Sequence, residues 1–224
     1  MARDAYQEEL ATLRDDVVEF GATVSARLED ALVAIETDDD ELATAVIDGD
    51  EEINERYLAL ESRCVDLFAL QQPVAGDLRF VTASFKIITE LERVGDLATN
   101  LSAYVRSVAE PHFPEMSLLD VGRLAREMVD QALDAYATDD ERLAATVVER
   151  DDELDGLCER VAETVVRDLV ETTETFDGEE MQRLLTEVNR LLLTLRDIER
   201  VGDHAVNIAA RSFYMVTNRT THLY

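Results

Sequence analysis

Apolar residues recur at intervals of three and four along almost the whole chain, the period of helices with one buried face. Leu, Ala, Glu and Arg, good helix formers, fill much of the rest. The pattern breaks at recognisable signals. A first helix over about residues 4–36 gives way at Thr37-Asp38-Asp39-Asp40, an N-cap and acidic first turn. Gln71-Gln72-Pro73 closes a second helix, because the residue before proline avoids the α region. Pro111-His112-Phe113-Pro114 is the only two-proline segment and the candidate linker. Ser117 is the expected cap of a fourth helix, Thr138-Asp139-Asp140 starts a fifth and Asp177-Gly178-Glu179-Glu180 a sixth. Six helices joined by short loops favour antiparallel neighbours. The expected fold is all-α, two tandem antiparallel three-helix bundles spanning residues 1–110 and 115–224.

The halves repeat each other. Residues 92–96 and 199–203 both read Glu-Arg-Val-Gly-Asp, and each Asp is followed four residues later by Asn, at Asn100 and Asn207. Upstream, Asp50-Glu51-Glu52-Ile53-Asn54 matches Asp151-Asp152-Glu153-Leu154-Asp155 more loosely. The features come in the same order in both halves, which marks an internal duplication.

The repeated acids extend or interrupt apolar stripes. Leu78, Val81, Phe85 and Ile88 lead to Glu92, Gly95 and Asp96; Leu185, Val188, Leu192 and Leu195 lead to Glu199, Gly202 and Asp203. Asp50 and Asp151 break seams that run Val46–Ile53–Tyr57–Leu60–Cys64–Leu67 and Ala144–Val147–Leu154–Cys158–Val161–Val165. Residues i and i+4 share a helical face, so Glu92 with Asp96, and Glu199 with Asp203, can converge on one point. Asn100 and Asn207 add a neutral oxygen one turn on. Asp50 with Asn54, and Asp151 with Asp155, supply oxygens from a partner helix. Such a nest suits hard cations, Mg²⁺, Mn²⁺, Ca²⁺ or iron rather than a thiolate-held zinc. The alternative is a salt network bridged by Arg93 and Arg200. Gly95 and Gly202 each cost about 1 kcal/mol inside a helix; close approach of a partner helix, or of a cation cluster, is the expected offset. His204 is expected at the surface rather than as a ligand. His112 and His222 carry no argument.

Composition narrows the function. The 224 residues include 50 Asp or Glu against 21 Lys or Arg, a formal net charge of −29, and Lys86 is the only lysine. No such chain neutralises a run of phosphates, so nucleic acid is excluded as a general partner. An anionic membrane surface is disfavoured for the same reason. There is no apolar signal core and no membrane-length apolar run. Cys64 and Cys158 sit singly among apolar neighbours, as buried thiols of a reduced, cytoplasmic protein do. Most of the acidity reads as a solvated coat; the repeated acids are the exception.

The string Gln71-Gln72-Pro73-Val74-Ala75-Gly76-Asp77-Leu78-Arg79, with Leu91-Glu92-Arg93-Val94-Gly95-Asp96 and Glu199-Arg200-Val201-Gly202-Asp203-His204-Ala205-Val206-Asn207-Ile208, resembles the PhoU family of phosphate-signalling regulators. The resemblance spans essentially the whole chain. It implies carboxylate-bound metal clusters on the duplicated helices, with iron, zinc, Mg, Mn or Ca as the cation. It also implies negative regulation of phosphate uptake by contact with the ATPase subunit of the phosphate ABC transporter, and in bacteria with a sensor kinase. The low-lysine acidity resembles that of salt-loving archaeal members, many of which lack that kinase. Two departures matter. The second half has no equivalent of the Gln-Gln-Pro string, and Asn54 stands where a carboxylate is expected, so the first cluster is expected to be weaker or mononuclear.

The expectation is therefore a non-enzymatic, metal-binding regulator that pairs as a homodimer through its long amphipathic helices. Two alternatives stay open: a structural or adaptor bundle without metal, and a carboxylate-bridged di-metal enzyme. The enzyme usually needs Glu-x-x-His pairs, and the sequence has none.

Overall fold

The computed structural model describes residues 2–70, 75–105, 116–172 and 178–221. These form eight helical segments: α1 (Ala2–Thr37), α2 (Asp40–Asp48), α3 (Asp50–Leu70), α4 (Ala75–Val105), α5 (Met116–Thr138), α6 (Glu141–Glu149), α7 (Asp151–Thr172) and α8 (Gly178–Thr217). No strand occurs among the described residues. The expected second and fifth helices are each divided, at Gly49 and Arg150. Both residues keep right-handed helical φ, −81° and −76°, but their ψ flattens to −1° and −13°. The helix restarts there on an acidic first turn, Asp50-Glu51-Glu52 and Asp151-Asp152-Glu153, which complements the positive end of its dipole.

Capping at the other junctions follows the acidic strings. Asp38 and Asp139 take positive φ, 50° and 55°, a conformation Asp tolerates better than most residues. The next amide bonds back to the helix just ended, Asp39 N to Ala34 O at 3.0 Å and Asp140 N to Ala135 O at 3.1 Å. Asp39 and Asp140 then cap the following helices by accepting from Glu41 and Leu42, and from Arg142 and Leu143. Helix α5 starts at Met116, one residue ahead of Ser117. The expected stop at Gln71-Gln72-Pro73, the linker 111–114 and the start at Asp177 lie outside the described residues.

Two antiparallel three-helix bundles result, with α2/α3 and α6/α7 each acting as one kinked helix. They pack side by side, α1 on α5 and α4 on α8. One continuous apolar core runs from Tyr6 to Met215 through both halves. The expected stripes are buried at Val81, Ile88, Val188 and Leu195, but Leu78 and Leu185, near the helix starts, are exposed.

The α1–α5 crossing is internally symmetric. A Cβ at Gly21 would lie 2.5 Å from Leu133, and one at Gly122 would lie 2.5 Å from Leu32. Gly21 and Leu32 sit 101 positions before Gly122 and Leu133, so each half offers the other the same glycine and the same leucine, as in a two-fold interface. Polar contacts line the crossing, with Arg126 paired to Glu29 at 2.5 Å and the Ser25 hydroxyl donating to Asp130 at 2.5 Å.

Gly21→Ala is expected to destabilise the protein by about 1 kcal/mol, since overpacking costs about 1–3 kcal/mol and helix propensity returns about 1. Gly76→Ala, with nothing within 4 Å of its Cβ, is the control and should lose nothing. Urea unfolding compares them; a Gly21→Ala protein as stable as the control contradicts the close crossing.

Candidate functional site

The duplicated acids lie where a kinked helix rests on the long helix behind it. The contact itself is apolar. A Cβ at Gly95 would stand 3.0 Å from Ile53 Cγ2, and one at Gly202 would collide with Leu154 Cδ2. The two glycines are thus offset by the close approach of α3 and α7. Ile53 and Leu154 lie three residues after Asp50 and Asp151. Seating these knobs brings each aspartate to the flank of a Glu-Arg-Val-Gly-Asp string. Asp151 Oδ1 lies 3.8 Å from the position a Gly202 Cβ would take.

Electrostatics shows which acids are brought together. Burial, then Asp96 and Asp50, raise the Glu92 carboxyl above its ordinary value, against the pull of Arg93. Burial and Asp50 raise Asp96. In the second half burial, then Asp155, Asp203, Asp152 and Glu199, push Asp151 up to about 6. Burial leads for Glu199 and Asp203 as well, with Asp155 as the strongest repelling neighbour of both. Two acid faces therefore exist: Asp50, Glu92 and Asp96, and Asp151, Asp155, Glu199 and Asp203. Most are exposed; Asp50, Glu92 and Asp151 are half-buried.

Two of the three asparagines spend their amide N–H groups on carboxylates. Asn54 donates its amide to Asp50 Oδ2 at 3.0 Å. Asn207 donates to Glu90 Oε2 at 3.3 Å, turned toward the boundary between the bundles. Asn100 is exposed. Nor do the arginines bridge the acids. Arg93 reaches Glu90 at 3.6 Å and Arg200 reaches Asp197 at 3.6 Å, each one turn back. Arg196 also holds Asp197, at 2.9 Å.

Glu90 and Asp197 are the residues the sequence reading missed. They occupy the same place in the two repeats, two positions before Glu92 and Glu199, and that duplication was the available signal. Both are buried, at 8 % and 0 % exposure, against the other half. Glu90 Oε2 lies 2.7 Å from His204 Nδ1, so His204 is a buried partner and not the surface histidine expected. Burial would raise Glu90, but the hydrogen bond and charge of His204, with Arg93 and Asn207, hold it below its ordinary value. Asp197 accepts from the Tyr104 hydroxyl at 2.9 Å. The buried Cys64 and Cys158 are free thiols, both pushed up to about 12, chiefly by burial.

The second face fits a hard cation by its chemistry. Its donors are all oxygens, they repel one another, and Asp151 Oδ1 is buried without a hydrogen-bond partner. Among the described residues no group of three or more His, Cys, Asp or Glu side chains is placed to hold a metal ion as the side chains stand. Glu199, Asp203 and Asp155 would have to rotate inward, which their exposure permits.

With cations chelated, the raised Asp151 binds more protons folded than unfolded between about pH 4 and 6, so its repulsion costs stability as pH rises through that window. Acidification from about pH 7 to about pH 5 should recover about 1 kcal/mol, allowing for solvent screening. Thermal melts of the chelated protein and of Asp151→Asn check this. A pH difference undiminished in the variant contradicts it.

Comparison with known proteins agrees with this architecture. The family described as "PhoU domain" matches residues 17–105 and again 118–212. The phosphate-specific transport system accessory protein PhoU of Serratia marcescens is 33 % identical over 94 % of this chain and 84 % of its own length. The Escherichia coli protein of that name is 32 % identical over 94 % and 85 %. The crystal structure of PhoU from Pseudomonas aeruginosa superposes with a TM-score of 0.84 at 30 % identity, over 96 % of this chain and 100 % of that one. The phosphate transport system regulatory protein PhoU from Streptococcus pneumoniae shares the fold, with a TM-score of 0.85 at 24 % identity over 96 % and 99 %.

Proposed function

The chain belongs to the PhoU family, and from that premise we propose that it is a cytoplasmic, non-enzymatic regulator that restrains phosphate uptake. The observation that carries this reading is the match of the family to both halves, in relatives named as phosphate transport accessory proteins. Its partner in this reading is the ATPase subunit of the phosphate ABC transporter, with a sensor kinase as a further contact. No described helix is long and apolar enough to cross a membrane. A homodimer belongs to the same reading.

Divalent cations held by carboxylates are its second element. Asp151, Asp155, Glu199 and Asp203 would hold one set, and Asp50, Glu92 and Asp96 the other. A bound cation supplies positive charge where like-charged oxygens meet and so tightens α7 on α8 and α3 on α4. Iron, zinc, Mg, Mn and Ca all accept oxygen ligands. The raised carboxyl values and the orphan Asp151 oxygen support this reading. They also weigh against the plain adaptor bundle, in which Arg93 and Arg200 would bridge these acids.

Deleting the gene should release phosphate uptake from repression in phosphate-rich medium. Unchanged uptake together with unchanged phosphate-responsive expression contradicts the regulatory role. For the cation role, protein purified in high salt without chelator should melt about 5–10 °C above its chelated form, taking saturation at about 100 times Kd. Equal melting temperatures at matched ionic strength contradict it.

A further inference from the structure

The two acid faces share a backbone frame but not their internal hydrogen bonding. Asp50 is fully served by the protein, its Oδ1 by the Thr99 hydroxyl at 3.1 Å and its Oδ2 by the Asn54 amide at 3.0 Å. Asp151 occupies the same place in the second half, and its buried Oδ1 has no donor. Two residues account for the difference. Position 155, matching Asn54, is Asp, and position 206, matching Thr99, is Val. Neither an ionised carboxylate nor an isopropyl group can donate.

We propose, resting on the cation reading above, that the faces are unequal cation sites which load in order: Asp151, Asp155, Glu199 and Asp203 first, Asp50, Glu92 and Asp96 only at higher free cation. The second face offers four carboxylates and the first three, so relief of repulsion is greater in the second. In the first, a cation must displace hydrogen bonds already made to the Asp50 carboxylate. In the second, the Asp151 oxygen is desolvated and waiting. Losing one hydrogen bond to a charged oxygen corresponds to about ten-fold in affinity. Asn54 thus acts as a built-in neutral substitute for the ion. Over the concentration range between the two affinities, the protein carries one filled and one empty face, so its halves respond to different cation levels.

The test is a titration of the chelated full-length protein with Mn²⁺ at constant high salt, following heat and the free-ion electron spin resonance signal. The wild type should show two steps separated by about ten-fold or more. Asn54→Asp with Thr99→Val gives the first face the second's residues and should merge the steps at high affinity. Asp155→Asn with Val206→Thr makes the reverse exchange and should abolish the tight step while leaving the weak one. Circular dichroism confirms that both doubles keep their helices. A single step of stoichiometry two in the wild type, or a tight step that survives Asp155→Asn with Val206→Thr, overturns the ordered loading while leaving cation binding intact. No Mn²⁺ uptake by any of the three proteins overturns the cation reading itself, and the proposal with it.

Discussion

Two glycines set the distance on which the acid faces depend. At Gly95 and Gly202 the long helices have no side chain, and Ile53 and Leu154 fill the space. Burying each of these side chains contributes about 1.5–3 kcal/mol, and both are essentially inaccessible to solvent. That apolar gain holds together surfaces that electrostatics pushes apart. Because Asp50 and Asp151 lie one turn before the knobs, and Glu92, Asp96, Glu199 and Asp203 flank the glycines, the repulsion cannot be relieved by sliding one helix along the other without emptying the contact.

The arginines of the repeat do not rescue the outer acids because they are taken by inner ones. Arg93 and Arg200 turn toward Glu90 and Asp197, which are buried where α4 meets α8. Each inner acid also receives a partner from the opposite half, His204 for Glu90 and Tyr104 for Asp197. Buried polar pairs of this kind add little net stability, but leaving one partner alone is costly. They tie α4 to α8 across the junction of the two halves. The same two helices, α4 and α8, use one face for this junction and another for the exposed acids.

Much of this was legible in the sequence because helical periodicity and duplication are one-dimensional signals. The strings at Asp38-Asp39-Asp40 and Asp139-Asp140 specified the caps found, and the repeated glycines signalled a close approach. The kinks at Gly49 and Arg150 were not legible, since both residues keep helical φ and the apolar seam runs on through them. Nor was the burial of His204, whose surroundings come from Glu90, 114 positions away. The Asn54 N–H donates to Asp50, an orientation set by the neighbouring charge that spacing alone does not show.

The central claim is that these acids are held together for cations and not for one another. Anomalous scattering from crystals of the native protein, grown without chelator and measured across metal absorption edges, tests it most directly. The account predicts a difference peak bounded by Asp151, Asp155, Glu199 and Asp203, with those carboxylates turned inward upon it. Well-ordered carboxylates pointing to solvent, with no anomalous density between α7 and α8, would contradict it.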